Sequence, residues 1–257
     1  INGGNPDRPL MLGSLTFTGD ETLLRKKGVV AGVGVGANGR HIYGEGRYVD
    51  FGLGASYAHS LKHDIGIGRA FANFHSKNHI RDHWYLDFYA STNLLWRELT
   101  DDTTSTVGAS LVKLFATEQG SNHQAAVGIR RLYDDEYEQT QLVGSFHTIH
   151  SNGIYSAINA NFGASVESTL ATKYSISATL GAKLFNKPIS ATYTYSFADG
   201  GKLLNVERNE RRQSFTITYA VHPRINITLG YRETDSSIDY FNESGIVIGF
   251  QFAALRF

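Results

Sequence analysis

The chain has 257 residues, no cysteine, and 24 basic against 24 acidic side chains, for a formal net charge of zero. This excludes a disulfide scaffold, thiolate metal ligands and thiolate nucleophiles, and it argues against a nucleic-acid binder that neutralises phosphates broadly. No uncharged apolar run reaches 18 residues, so no transmembrane helix is predicted, whereas 27 Gly, 14 Tyr and 15 Phe against 4 Pro favour sheet and turns.

Residues 1–10 read as irregular, because Pro6 and Pro9 oppose a strand ladder; a tail, a lumen plug and a linker all fit. The chain does not open on a signal peptide, which fits a mature terminus or a portion of a longer protein. A first strand is expected over 11–18, with Leu15 and Phe17 on one face. After a charged loop from Asp20 to Lys27, residues 29–37 set Val29, Ala31, Val33 and Val35 against Gly32, Gly34 and Gly36, and Asn38-Gly39 then signals a tight turn. Residues 41–47 fit strand and loop equally.

Residues 48–59 place Val49, Phe51, Leu53, Ala55 and Tyr57 on one face. A strand over 64–74 carries Arg69 among Gly and Ala. Residues 83–97 give the clearest pattern. Trp84, Leu86, Phe88, Ala90, Thr92, Leu94 and Trp96 alternate with Tyr85, Asp87, Tyr89, Ser91, Asn93, Leu95 and Arg97, so one surface is apolar and the other mostly polar. An apolar face of about seven positions with a Trp near each end matches a membrane-crossing strand of roughly 9–11 residues with interfacial aromatics.

Residues 106–117 change phase near Lys113, as a bulge or a misplaced boundary produces. The same alternation then recurs over 122–130, 141–148, 154–166, 174–184, 189–197, 214–221 and 225–232. Short connectors at 150–153, 185–187 and 222–224 alternate with longer ones at 167–173, 199–212 and 233–244. Short turns at one rim and long loops at the other imply an all-β, antiparallel up-and-down transmembrane barrel over 11–257, of about 14 strands, with 12 or 16 also compatible.

The final segment, Gly245-Ile246-Val247-Ile248-Gly249-Phe250-Gln251-Phe252 followed by Ala253-Ala254-Leu255-Arg256-Phe257, resembles the closing strand of Gram-negative outer-membrane barrels. Phe257 matches as the terminal aromatic, but the alternation Ile246, Ile248, Phe250, Phe252 is out of phase with it. Either a bulge lies at 253–254 or the strand ends at Phe252. In size and strand number the chain resembles monomeric porins and small substrate channels. That resemblance implies a bacterial outer-membrane location, contact with membrane lipid and lipopolysaccharide, and recognition of the closing strand by the barrel-assembly machinery.

If the apolar faces meet lipid, the opposite faces line a lumen. The candidate pore-lining residues are Tyr85, Asp87, Tyr89, Asn93, Arg97, Arg130, Asn159, Asn161, Lys183 and Arg232. Mixed charges among hydroxyls suit small hydrophilic solutes.

Other chemistries find less support. His59 and His63, then His75, His79 and His83, recur at intervals of four, a metal stripe on a helix but not on strands; a pH-sensitive group near a rim is chemically feasible. His150-Ser151 and His75-Ser76 are adjacent pairs that point to opposite faces of a strand, which is wrong for a nucleophile and its base. Asp134-Asp135-Glu136-Tyr137-Glu138 reads as a solvated loop, and Arg208, Arg211 and Arg212 read as loop residues able to meet lipopolysaccharide phosphates. The expectation is a channel without catalytic site, metal or cofactor; the alternative is the membrane anchor of an export or surface-assembly system with a periplasmic domain or partner.

Overall fold

The computed structural model describes residues 10–20, 30–60, 65–97, 101–203, 205–222 and 225–252. The first half contains β1 (Leu10–Asp20), β2 (Val30–Gly44), β3 (Arg47–Ser60), β4 (Ile65–Arg81), β5 (Trp84–Arg97), β6 (Asp101–Ala116) and β7 (Asn122–Asp134). The second contains β8 (Glu138–Ile149), β9 (Tyr155–Gly163), β10 (Ala171–Leu184), β11 (Lys187–Leu203), β12 (Val206–His222), β13 (Ile225–Ser236) and β14 (Glu243–Phe252), with a short 3-10 turn at Asp239–Phe241. Each strand pairs antiparallel with its sequence neighbours, and β1 pairs with β14, so the sheet is a closed barrel. Closure gives the ladder no free edge, the condition for a sheet to sit in hydrocarbon.

Directly opposed residues share a face, so the register traces two surfaces around the wall. One runs Leu86, Leu111, Val127, Gly144, Ala160, Ile176, Tyr195. The other runs Asp50, His75, Tyr89, Gly108, Arg130, Gln141, Gly163. The large apolar side chains on the first surface are exposed, Leu180 at 62% and Leu142 at 55% among them. Among the described residues the buried apolar side chains are only Val112, Ala157, Ala171 and Ala198. A soluble sandwich buries its apolar rows between sheets. Here those rows face outward, with no partner sheet over them, the arrangement of a transmembrane barrel.

The turns at one rim are tight. Phe185 and Asn186 both have positive φ, 50° and 60°, the conformation that matches the twist of the flanking strands. The turn after β2 lies at Glu45-Gly46, with Gly46 at φ 63°, and not at Asn38-Gly39. Those two residues continue the ladder opposite Gly52 and Phe51. Gly39 serves packing there: a Cβ on it would lie 2.1 Å from the Phe51 ring. Residues 41–44 are therefore strand.

The expected phase change near Lys113 is absent, since β6 keeps one register from Thr104 to Ala116 against β7. Lys113 is an outward residue whose ammonium sits 5.1 Å from the Trp84 ring centroid. A cation on a lipid-facing surface is tolerated at the rim, where the stem lies along apolar surface and the head reaches water. The register shifts that do occur in the second half lie at Thr172/Tyr174, Ala198/Gly201 and Ala220/His222.

At the opposite rim the expected long loops are mostly strand. β11 and β12 run to Leu203 and from Val206, so residues 199–203 and 206–212 belong to an extended hairpin. The segment expected as a loop over 167–173 gives way to β10 at Ala171, and that over 233–244 shrinks to the stretch between Ser236 and Glu243. The acidic run is also tied down: Asp135 accepts the Thr103 amide at 2.6 Å, Asp134 accepts the Thr104 hydroxyl at 3.2 Å, and Glu138 pairs with Arg131. Burial, reinforced by Asp134 and Glu136, pushes the Tyr137 phenol above its ordinary range. Residues 1–9, most of the Asp20–Lys27 segment, His63, Pro223 and residues 253–257 lie outside the described residues.

Candidate functional site

The inner wall carries three polar clusters, each built across neighbouring strands. On β2–β5, Arg40 makes a two-pronged ion pair with Asp50 at 2.6 and 2.7 Å and lies 4.3 Å over the Tyr48 ring. His75 stands between two carboxylates, with Nδ1 3.8 Å from Asp50 and Nε2 3.5 Å from Asp87. Further along the same strands, Lys77 lies 4.9 Å over the Tyr85 ring.

On β6–β9 the organising groups are amides. Arg130 donates to Gln141 at 2.6 Å, Gln141 donates to Gln139 at 2.5 Å, and Gln139 donates to the carbonyls of Ala164 and Thr172. Both glutamines are 3% exposed, so this relay spends their hydrogen-bonding capacity where water is scarce. Gly108 makes room for it: a Cβ there would lie 2.4 Å from the Tyr89 ring and 2.9 Å from the Arg130 Cβ. Asn161 donates to Gln141 at 3.4 Å, while Asn159 accepts from or faces His147 at 3.0 Å and donates to Ser177 at 3.4 Å.

On β11–β14 the centre is Glu210, 1% exposed. It accepts from Arg208 and Arg212, each through Nε and Nη2, with Nε distances of 2.9 and 2.8 Å. The Arg208 guanidinium lies 3.5 Å from the centroid of the Phe241 ring. Phe241 is held there because the β13–β14 loop is tied to β12. The Ser237 amide donates to Asn209 O at 3.0 Å, and the Asn209 amide donates to the Ser237 hydroxyl at 3.0 Å. Arg232 reaches Glu243 at 3.4 Å, and Arg212, Ser214, Arg232, Glu243 and Phe241 border a cavity of about 430 Å³. Between the clusters lie hydroxyl pairs, Thr179 with Thr192 and Thr218 with Thr228, each at 3.0 Å.

The backbone register puts all ten sequence-predicted residues on this one face. Tyr85, Asp87, Tyr89 and Asn93 follow one another on β5, and Arg97 continues the series opposite Ile67. Arg130 lies on β7, Asn159 and Asn161 on β9, Lys183 on β10 opposite Pro188, and Arg232 on β13 opposite Ser214. They do not converge on one point: Asp87 belongs to the first cluster, Tyr89, Arg130 and Asn161 to the second, and Arg232 to the third.

Sequence reasoning missed Arg40, Asp50, Gln139, Glu210 and Phe241, and it weighed His75 in a metal stripe and a pH-sensitive rim but not as a partner of wall carboxylates. A signal existed for Glu210: Arg208, Glu210 and Arg212 continue the period-two phase of Ser214, Thr216 and Thr218, so strand grammar extended past the assumed loop boundary. Arg208 and Arg212 thus face inward onto Glu210, and of the three arginines only Arg211 lies on the outer face, opposite Asp235.

Catalytic and metal readings gain nothing from the geometry. His150 faces the Ser156 hydroxyl at 3.0 Å, not its neighbour Ser151. His75 and His79 share the inner face of β4, His59 lies on the opposite face of β3, and no group of three ligating side chains able to hold a metal ion forms among the described residues.

No protein-family model matches the chain, and no curated protein matches its sequence. Solved structures do. Pseudomonas aeruginosa OccK10 (OpdN) superposes with a TM-score of 0.52 at 10% identity, over 97% of this chain and 99% of that one. A BenF-like porin from Pseudomonas fluorescens Pf-5 gives 0.51 at 8% identity, over 98% and 100%. Acinetobacter baumannii OccAB2 gives 0.50 at 8% identity, over 93% and 95%. At such identities the likeness establishes the fold alone: the chain is a closed antiparallel β-barrel with the architecture of those porins.

Proposed function

We propose that the barrel is a passive channel for small hydrophilic solutes across the outer membrane. The observation that carries this reading is the inner wall: among the described side chains, charged groups, amides and hydroxyls line it from β3 round to β13, and few of them are buried. A barrel closed by packed side chains inverts that pattern, because its inward residues fill one another's space. In this reading the ten predicted residues line the path, with the arginines on β5, β7 and β13 and the carboxylates on β3, β5 and β14 setting the field that a solute crosses. Outer-membrane lipid covers the apolar face, Arg211 is the arginine placed to meet lipopolysaccharide phosphate, and the barrel-assembly machinery reads the closing strand. The protein acts as a conduit and not as an enzyme.

The test is conductance of the refolded protein in planar bilayers, joined to swelling of liposomes in neutral sugars of increasing size. Stable openings and size-limited sugar entry are expected. A folded, inserted barrel that passes neither ions nor sugars overturns the reading and favours an export anchor.

A further inference from the structure

Both ring nitrogens of His75 face a carboxylate, Nδ1 that of Asp50 on β3 and Nε2 that of Asp87 on β5. A neutral imidazole carries one N–H, so it can serve only one of them and turns a lone pair toward the other. The imidazolium has an N–H for each. The surroundings are poised for that second proton. The Asp87 carboxylate, whose Oδ2 is the oxygen that faces Nε2, is 15% exposed, and its Oδ1 is buried without a hydrogen-bond partner, so the group is short of donors. Asp50, by contrast, is already held by Arg40.

The groups facing His75 are few and can be accounted for. From β3 come Asp50 and Tyr48, whose ring meets the imidazole edge-on at 5.6 Å. From β5 come Asp87 and Tyr89, the latter directly opposite. On β4 itself Lys77 and Asn73 flank it on the same face, and Arg40 on β2 stands behind Asp50. With His75 neutral, Arg40, Lys77, Asp50 and Asp87 balance to zero; one proton taken from water onto His75 leaves this part of the wall at plus one.

We propose that His75 is a proton-binding site of the channel wall, which on protonation bridges Asp50 and Asp87 and shifts ion selectivity toward anions. Histidine is the side chain whose charge changes between about pH 8 and pH 5. The proposal rests on the channel reading.

The experiment measures reversal potential under a salt gradient at about pH 8 and about pH 5, for the whole barrel, for His75→Gln and for His147→Gln. His147 is an inner-wall histidine that faces Asn159 and no carboxylate, so its replacement controls for general histidine titration. The expected result is a shift toward anions on acidification that His147→Gln keeps and His75→Gln loses in large part. A conducting barrel whose shift survives in His75→Gln overturns this proposal alone. A barrel silent at both pH values overturns the channel reading and this one with it.

Discussion

The β2–β5 wall and the β11–β14 wall solve the same problem, charge inside a closed barrel, in opposite ways. On β11–β14 a single carboxylate with 2% side-chain exposure holds two arginines, one of them capped by Phe241. On β2–β5 the charges are spread over four strands and kept partly wet: Asp50 is 26% and Arg40 40% exposed. The difference separates scaffold from surface. Glu210 ties two arginines of its own strand at a buried position and, through Arg208, reaches the Phe241 loop, whereas Arg40, Asp50 and His75 keep part of their side chains in solvent.

Removing the tie tests that contrast most severely. Glu210→Gln removes the buried carboxylate that holds two guanidiniums side by side and is expected to cost up to about 3–5 kcal/mol. Asp50→Asn, in a wetter pair, is expected to cost under about 1 kcal/mol. Urea unfolding of both variants in detergent reads the gap, and equal losses erase the distinction.

The contrast between inner and outer faces predicts a slightly smaller effect. Leu180→Arg puts a cation on the lipid side of β10 and is expected to cost about 2–4 kcal/mol, while Thr179→Arg, one residue away and facing inward, costs little. Insertion and refolding yield into vesicles distinguishes the two. Charge on the wall is expected to act on permeation. Replacing Arg97 and Arg130 by glutamine is expected to displace the reversal potential toward cations; an unmoved potential takes both off the conducting path.

The smallest effect lies at the rim beyond β7. Because the Tyr137 phenol is raised above its ordinary value by burial and nearby carboxylates, the folded state holds that proton more tightly than the unfolded chain does. Its contribution is therefore complete below about pH 10 and is lost as pH climbs through the folded-state value. Tyr137→Phe is expected to flatten the alkaline fall in stability.

How much of this was legible from the sequence follows from what alternation encodes. Period two with aromatic ends fixed the strands, the faces and a strand number near fourteen, because lipid imposes one rule on every outward residue. Boundaries were another matter. Asn38-Gly39 has turn chemistry, yet Gly39 is needed under Phe51, and only the partner strand reveals that. Lys113 looked like a break in phase because a rim lysine obeys interface rules and not midplane ones. The clusters were hidden more deeply, since Glu210 meets its arginines within one strand while His75 meets carboxylates 25 positions before it and 12 after it in the chain. Register, which a single sequence states only weakly, is what joins those residues.

The central claim is that the polar face borders water and the apolar face lipid. The chain has no cysteine, so a single introduced thiol reports its own surroundings. Ser177→Cys, on the inner face between Asn159 and Thr194, and Leu180→Cys, on the outer face, are to be treated with a charged, membrane-impermeant thiol reagent after insertion into vesicles. The account predicts rapid labelling of the first and protection of the second. Protection of both, or labelling of Leu180→Cys alone, would contradict it.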